Sequence, residues 1–374
     1  MKIIRTFSRI LVGMVFMFSG FVKGVDPLGT AYRMTDYMEV LKLHSLIPFA
    51  LTLSILLCAA EFILGFLLVT NVKIKIVSWF TLLFMSFFTI VTFFDATKNL
   101  VKDCGCFGDA VKLSNWATFY KNIVLMIFTL IIVLGRNKIK PWFKNKTEYI
   151  IIVTASILFI WFSVYNYRNL PMLNFRPWKE GNKMLPDNPK PIKYYIAYKN
   201  KKTGEKKEWE SSKIPYQDTT FAINWAYDTT RIDNPNISLL NGFAILDTSS
   251  ADMTEHFVKN PEFQFLLAVY DVNKANKKVF EKINQFYAKA KAKNISFIIL
   301  TSSPKEDVAK FKKEINDPGY EYYFSDDTSL KAMIRSNPGL VLLKKATVLG
   351  QWHWRNIPDF DNIDMQKLEK KYIK

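Results

Sequence analysis

Hydropathy divides the chain near residue 168: five apolar runs separated by short polar loops come before it, and ordinary soluble polarity follows. A helix needs roughly 20 mostly apolar residues to cross the hydrocarbon core of a bilayer. Runs 76–94 and 149–167 meet this with no charged residue, and run 46–70 meets it with one acid, Glu61. Two runs are weaker: 10–22 is flanked by Arg5, Arg9 and Lys23, and the run ending at Gly135 contains Lys121. Long side chains near the ends of such runs can reach the interface. The pattern predicts a four-helix membrane bundle over 1–138. A basic loop and a fifth spanning helix that acts as a tether follow over 139–170.

Beyond the fifth run, residues 171–240 are rich in Pro, Lys, Tyr and Trp and predict a linker region with short strands, including a hairpin turn around Gly204. Residues 241–374 alternate clearly. Strands are expected at 242–246, 263–270 and 295–300, and helices at 275–293 and 304–315, the second capped by Ser303. A strand at 321–324, a short helix through Arg335, a hairpin of 339–344 with 347–352 and a terminal helix at 362–371 complete the pattern. Strand and helix in alternation, then a hairpin and a helix, describe a soluble α/β domain built on a mixed sheet.

The net charge of +18 would suggest an anionic partner in a soluble protein. Here many of the cations occupy short loops between apolar runs, and no nucleic-acid recognition motif is present, so the lipid bilayer is the expected partner and nucleic acid is not. With the N-terminus inside, Lys2, Arg5, Arg9, Lys73, Lys75, Arg136, Lys138, Lys140, Lys144 and Lys146 fall on the cytoplasmic side. Asp26, Asp36, Glu39, Asp103 and Asp109 then fall outside, and five spans deliver the C-terminal domain outside as well. The first run has the basic flank of a signal peptide, but no small-residue cleavage site follows it.

Only three cysteines occur, Cys58, Cys104 and Cys106, so no disulfide staples the outer domain. Cys104 and Cys106 sit in the loop 103–109, Asp-Cys-Gly-Cys-Phe-Gly-Asp, expected at the outer end of the third and fourth spans. Two thiols separated by one glycine can form an easily reduced disulfide or exchange with a partner's thiols. They can also supply two thiolates to a soft metal, with His44 a further ligand, or simply shape a turn. Glu61 is the other intramembrane feature, since a carboxylate is disfavoured in an apolar run unless a cation meets it. It is either a proton-handling or quinone-facing group, or a carboxyl locked to a neighbouring helix by Lys23 or Lys121. Cys58, one turn earlier, reads as core.

Arg9, Gly13 and the run 18–23, Phe-Ser-Gly-Phe-Val-Lys, followed by 58–61, Cys-Ala-Ala-Glu, with Gly65 and then Cys104-Gly105-Cys106-Phe107-Gly108, resemble the DoxX and MauE membrane proteins. The resemblance covers about the first 135 residues. It implies a four-helix bundle in the bacterial inner membrane, linked to disulfide formation in partner proteins or to quinone-linked respiratory and thiol-stress functions. The element order over 241–374 resembles the thioredoxin fold, with Pro338 where that family carries its cis-proline. Where that family places its cysteine pair, residues 271–276 read Asp-Val-Asn-Lys-Ala-Asn, without a thiol.

These features imply an inner-membrane protein of thiol-disulfide redox. In this reading Cys104 and Cys106 are the catalytic pair, Glu61 and Lys23 are intramembrane polar groups, and the thioredoxin-like domain docks a periplasmic protein partner. No cofactor is fixed by the sequence; a quinone near Glu61 is the candidate. The alternative is a scaffold whose thiol-free domain recruits an envelope partner. His353, between Trp352 and Trp354, reads as a satisfied or exposed residue at a strand end and not as a catalyst, and no metal site is expected.

Overall fold

The computed structural model describes residues 2–101, 105–186, 193–215, 218, 220–233, 240 and 242–373. It divides into two compact units, Met1–Arg176 with Trp352–Ile357, and Pro177–Gln351 with Pro358–Lys374. Among the described residues, five helices are long and apolar enough to cross a membrane.

In the first unit these are α1 (Lys2–Val25), α3 (Ala50–Thr70), α4 (Ile74–Lys98), α5 (Asn115–Gly135) and α6 (Asn145–Arg168). Between the first two lies α2 (Pro27–Val40), a helix that hydropathy leaves in a loop. Its start is nonetheless written locally: the Asp26 side chain accepts from Gly29 N at 3.0 Å, and proline occupies the first helical position, where no amide hydrogen is needed.

Two glycines bring α1 and α3 together. A Cβ on Gly65 would lie 2.5 Å from the Gly13 carbonyl oxygen and 2.5 Å from the Met17 nitrogen, so only glycine allows this backbone approach. The fifth span is a packed member of the bundle. The Phe159 ring stacks on Phe62 at 4.4 Å and is buried with Cys58 and Ala59, which places Cys58 in the core.

The basic loops gather at one end of the helices. Arg9 lies over the Trp142 ring at 4.8 Å, Arg136 lies over Trp79 at 4.9 Å, and Asn71 Nδ2 donates to the Lys140 carbonyl at 2.7 Å. At the same end the buried Glu148 carboxylate accepts from Lys73 N at 3.1 Å and pairs with Lys73 Nζ at 3.4 Å. It thereby satisfies an amide at the start of α4 that the helix itself cannot.

The second unit opens with β1 (Lys193–Asn200) and β2 (Lys206–Glu210), joined through Gly204 at φ +76°, where a left-handed turn favours glycine. A short α7 (Phe221–Asn224) leads into β3 (Trp225–Asp233), which pairs with β1 to give an antiparallel sheet of order β2-β1-β3. Sequence pattern did not disclose β3, because its residues are mostly polar and lack an alternating apolar face. Tyr198 and Phe221 pack at 4.9 Å beneath this sheet.

After α8 (Thr254–Val258) come β4 (Gln264–Ala268), α9 (Phe280–Ala292), β5 (Ser296–Thr301), α10 (Lys305–Glu314), β6 (Glu321–Phe324), α11 (Asp327–Met333), β7 (Gly339–Lys344), β8 (Thr347–His353) and α12 (Met365–Tyr372). The sheet order is β6-β5-β4-β7-β8, with β5 parallel to β4, β6 parallel to β5, and β7 antiparallel to β4. Every β4 residue is buried, as expected of a central strand.

Three local expectations change. Residues 242–246 form no strand; Leu246 alone makes bridges, to Asp252 and to Phe324. The cap of α10 is Pro304, while the Ser303 hydroxyl accepts from Val272 N at 3.1 Å. Helix α9 starts at Phe280, because the Asn276 side chain accepts from Lys278 N and holds a tight turn ahead of it.

His353 ends β8, and its Nδ1 accepts from Arg355 N at 3.2 Å, a bond that requires the neutral ring. Burial, aided by the Arg355 charge, lowers its pKa from 6.5 to about 4. The unfolded chain therefore takes up a proton at this site before the folded one does. Stability present above pH 6.5 is expected to fall as the pH drops from about 6.5 to about 4, by on the order of 3 kcal/mol. Acid unfolding of the wild type and of His353→Gln checks this, the variant losing that portion of the slope.

Candidate functional site

Within the first unit, a cavity of about 210 Å³ lies among the helices. One face of α2 covers part of it: Thr30, Arg33, Met34 and Tyr37 follow one another at helical spacing and all line it. Phe16, Met85, Phe87 and Phe88 give it apolar and aromatic walls. Lys23, Glu61, Cys106, Lys121 and Asn122 supply its polar and thiol groups.

Lys23 from α1 and Glu61 from α3 form a direct ion pair in the wall of this cavity, both almost fully buried. The pairing answers the question of which cation meets Glu61. Lys121 takes another place, over the Phe107 ring at 4.4 Å. Lys23 also lies 5.5 Å from the centre of the Phe88 ring, so its charge meets a carboxylate and an aromatic face.

Cys106 lines the same cavity on a loop that is tied down on both sides. The Ser19 hydroxyl donates to the Cys106 carbonyl at 2.6 Å, fixing the loop to α1. Arg33 Nη2 bonds Asp109 Oδ1 at 2.8 Å, fixing it to α2. Gly105 is at φ +66°, and a Cβ there would meet the Arg33 side chain at 2.3 Å, so the glycine between the two cysteines has a steric as well as a conformational reason. The Phe107 ring packs on Phe18 at 5.5 Å. Cys104, the other member of the expected pair, lies outside the described residues.

The structure thus brings Lys23, Glu61 and Cys106 to one cavity. It adds groups that the sequence reading passed over. Tyr37 lines the cavity and its hydroxyl donates to Asp95 Oδ2 at 2.5 Å, and Asn122 Nδ2 donates to Thr92 Oγ1 at 3.1 Å. The signal for the first was available in the helical spacing of 30, 33, 34 and 37. Asp95 gave none, standing one residue past an uncharged run. Among the described residues no three His, Cys, Asp or Glu side chains gather as a metal site.

In the second unit the Asn337–Pro338 peptide bond is cis. Asn337 Nδ2 donates to the Asp271 carbonyl at 2.7 Å and Asn276 N donates to the Asn337 carbonyl at 3.2 Å. The Pro338 loop is thereby joined to the segment 271–276, which carries no thiol.

The family model of methylamine utilisation protein MauE matches residues 1–135, the stretch that holds α1 to α5, the cysteine loop and all the cavity-lining residues named above. No curated protein matches the chain.

Proposed function

We propose that this multi-pass membrane protein carries out thiol-disulfide redox, with Cys104 and Cys106 as the exchanging pair. The observation that carries the reading is that Cys106 shares a cavity among the helices of the first unit with the buried Lys23–Glu61 pair. A buried ion pair is weak evidence for stability, since an apolar pair of similar volume commonly serves as well or better. Its place beside a cysteine loop, in the segment matched by the MauE model, favours a functional role.

In the reading, the Cys104–Cys106 disulfide accepts a thiolate from a protein partner. One sulfur–sulfur bond breaks, a mixed disulfide forms, and the partner's second thiolate resolves it, leaving the partner oxidised and Cys104 and Cys106 reduced. The cavity suits a quinone as the acceptor that regenerates the pair. Its aromatic and apolar walls fit a ring, and the Lys23 ammonium, with three hydrogens, offers a donor to a ring oxygen. When bound there, a quinone would supply a sink for the two electrons and two protons lost as the two thiols become a disulfide. The Lys23–Glu61 pair holds a proton and a counter-charge in the cavity wall. Ser19 and Arg33 keep the loop against it.

The cation-rich end of the bundle is assigned to the cytoplasm and the cysteine loop to the periplasm of a bacterial inner membrane. Residues 241–374 are read as a thioredoxin-like domain that docks the partner, on the strength of their element order and the Pro338 loop. Lacking cysteine, it positions a partner and leaves the exchange to the bundle.

Mixed-disulfide trapping in membranes tests the reading. A variant retaining only one of Cys104 and Cys106 is expected to run as a reducible adduct with an envelope protein, and Cys104→Ser with Cys106→Ser is expected to form none. If the double variant kept full partner oxidation, the scaffold reading would stand instead.

A further inference from the structure

We infer that the cation-rich end of the bundle carries a binding site for the phosphate of an anionic phospholipid, built where α1 meets α5 and centred on Arg9.

Arg9 is only 3% exposed, and its Nε is fully buried with no hydrogen-bond partner. Its guanidinium faces the Trp142 ring, and among the described residues no carboxylate pairs with it. Glu148, the acid of this end, is taken by Lys73. A cation–π contact offsets less than the desolvation of a buried charge costs, so this guanidinium lacks an anion. Its planar fork of N–H donors matches the oxygens of a phosphate.

Two further arginines stand beside it. Arg5 lies one turn earlier on the same face of α1, and a Cβ on Gly135, at the end of α5, would come within 2.3 Å of Arg5 Cδ. Glycine at this position therefore leaves room for the Arg5 side chain. The next residue, Arg136, donates to the Val133 carbonyl and covers the Trp79 ring, again without an ion pair among the described residues. Like charges one turn apart repel, and an anion seated between α1 and α5 relieves the repulsion.

The surroundings decide between a lipid and a free ion. Phe7 and Leu134, next to these arginines in sequence, are exposed apolar side chains, and Trp79 and Trp142 are exposed aromatic ones. Apolar surface capped by aromatics and cations is what the acyl-chain and headgroup levels of a bilayer meet. A phospholipid brings its phosphate to this depth while its chains cover the apolar surface, whereas a soluble ion would have to leave water.

The test uses the full-length protein in detergent, titrated with phosphatidylglycerol or phosphatidylcholine, bound lipid being counted by native mass spectrometry. The wild type is expected to bind phosphatidylglycerol more tightly. Arg9→Gln is expected to weaken phosphatidylglycerol binding about tenfold, the loss of a charge-assisted contact, while changing phosphatidylcholine binding by less than about twofold. Arg136→Gln is expected to shift the preference in the same direction and serves if Arg9→Gln does not fold. Lys146→Gln removes an exposed cation of the same end and is expected to change phosphatidylglycerol binding by less than about twofold. A merely structural Arg9 would leave the preference between the two lipids unaltered. Equal weakening for both lipids, no weakening, or an equally large loss in Lys146→Gln overturns the inference. Inorganic phosphate that displaces the lipid at equal concentration overturns it as well, since the ligand is then the free ion.

Discussion

Glu61→Gln is expected to destabilise the bundle by about 3–5 kcal/mol, because it leaves the buried Lys23 cation without its carboxylate. Lys23→Met is expected to cause a loss of similar size for the mirror reason. Combining the two removes both charges, and the double variant is expected to recover part of the stability, because neither an uncompensated cation nor an uncompensated carboxylate is left buried. Thermal unfolding of the four proteins in detergent measures this cycle. The same four proteins separate anchoring from chemistry. A pair that only fastens α1 to α3 would leave thiol oxidation intact in the double variant. Thiol oxidation is expected to stay lost in the double variant.

Gly65→Leu is expected to prevent the folded bundle from forming. A Cβ at this position would collide with backbone atoms of α1, the Gly13 oxygen and the Met17 nitrogen, each at 2.5 Å. Backbone cannot swing aside as a side chain can, so α1 and α3 would have to separate and open the cavity they both line. Even Gly65→Ala should cost about 1–3 kcal/mol, the range of an overpacked core. Leu83, which points outward and is 64% exposed, provides the control: Leu83→Ala is expected to shift stability by less than about 0.5 kcal/mol. Size-exclusion profiles and thermal unfolding of the detergent-solubilised variants check both expectations.

Much of this architecture was legible in the chain because bilayer-spanning helices announce themselves by composition alone. The uncharged runs 76–94 and 149–167 lie within α4 and α6, and Glu61 and Lys23 stood out as charges beside apolar neighbours. That Lys23 and not Lys121 meets Glu61 could not be read, since each helix can present any face until packing is known. Gly13 and Gly65 decide that face. Helix α2 escaped notice because its apolar positions are diluted by Arg33, Asp36 and Glu39, so window hydropathy reads it as loop while its cavity face follows helical spacing.

Asp95 was hidden for a different reason. At the edge of an apolar run an acid reads as an interface residue, and only the tertiary contact with Tyr37 shows it fully buried. In the second unit, the buried strands β4 and β5 were visible as short apolar runs, whereas β3 was not, because an exposed antiparallel strand of polar residues carries no period-two signal. Residues 242–246 erred the other way. They are apolar enough for a strand, yet pair only at Leu246.

The central claim, that the Cys104–Cys106 loop is a redox centre served by the cavity beside it, is tested most directly by following its thiol state. The full-length protein is reduced, freed of reductant, exposed to a short-chain benzoquinone, and then alkylated and weighed by mass spectrometry. Cys104 and Cys106 are both expected to escape alkylation after quinone in the wild type, while both remain alkylatable in the Lys23→Met, Glu61→Gln double variant. Cys104 and Cys106 that stay alkylatable in the wild type, or that are oxidised equally fast in the double variant, would contradict it.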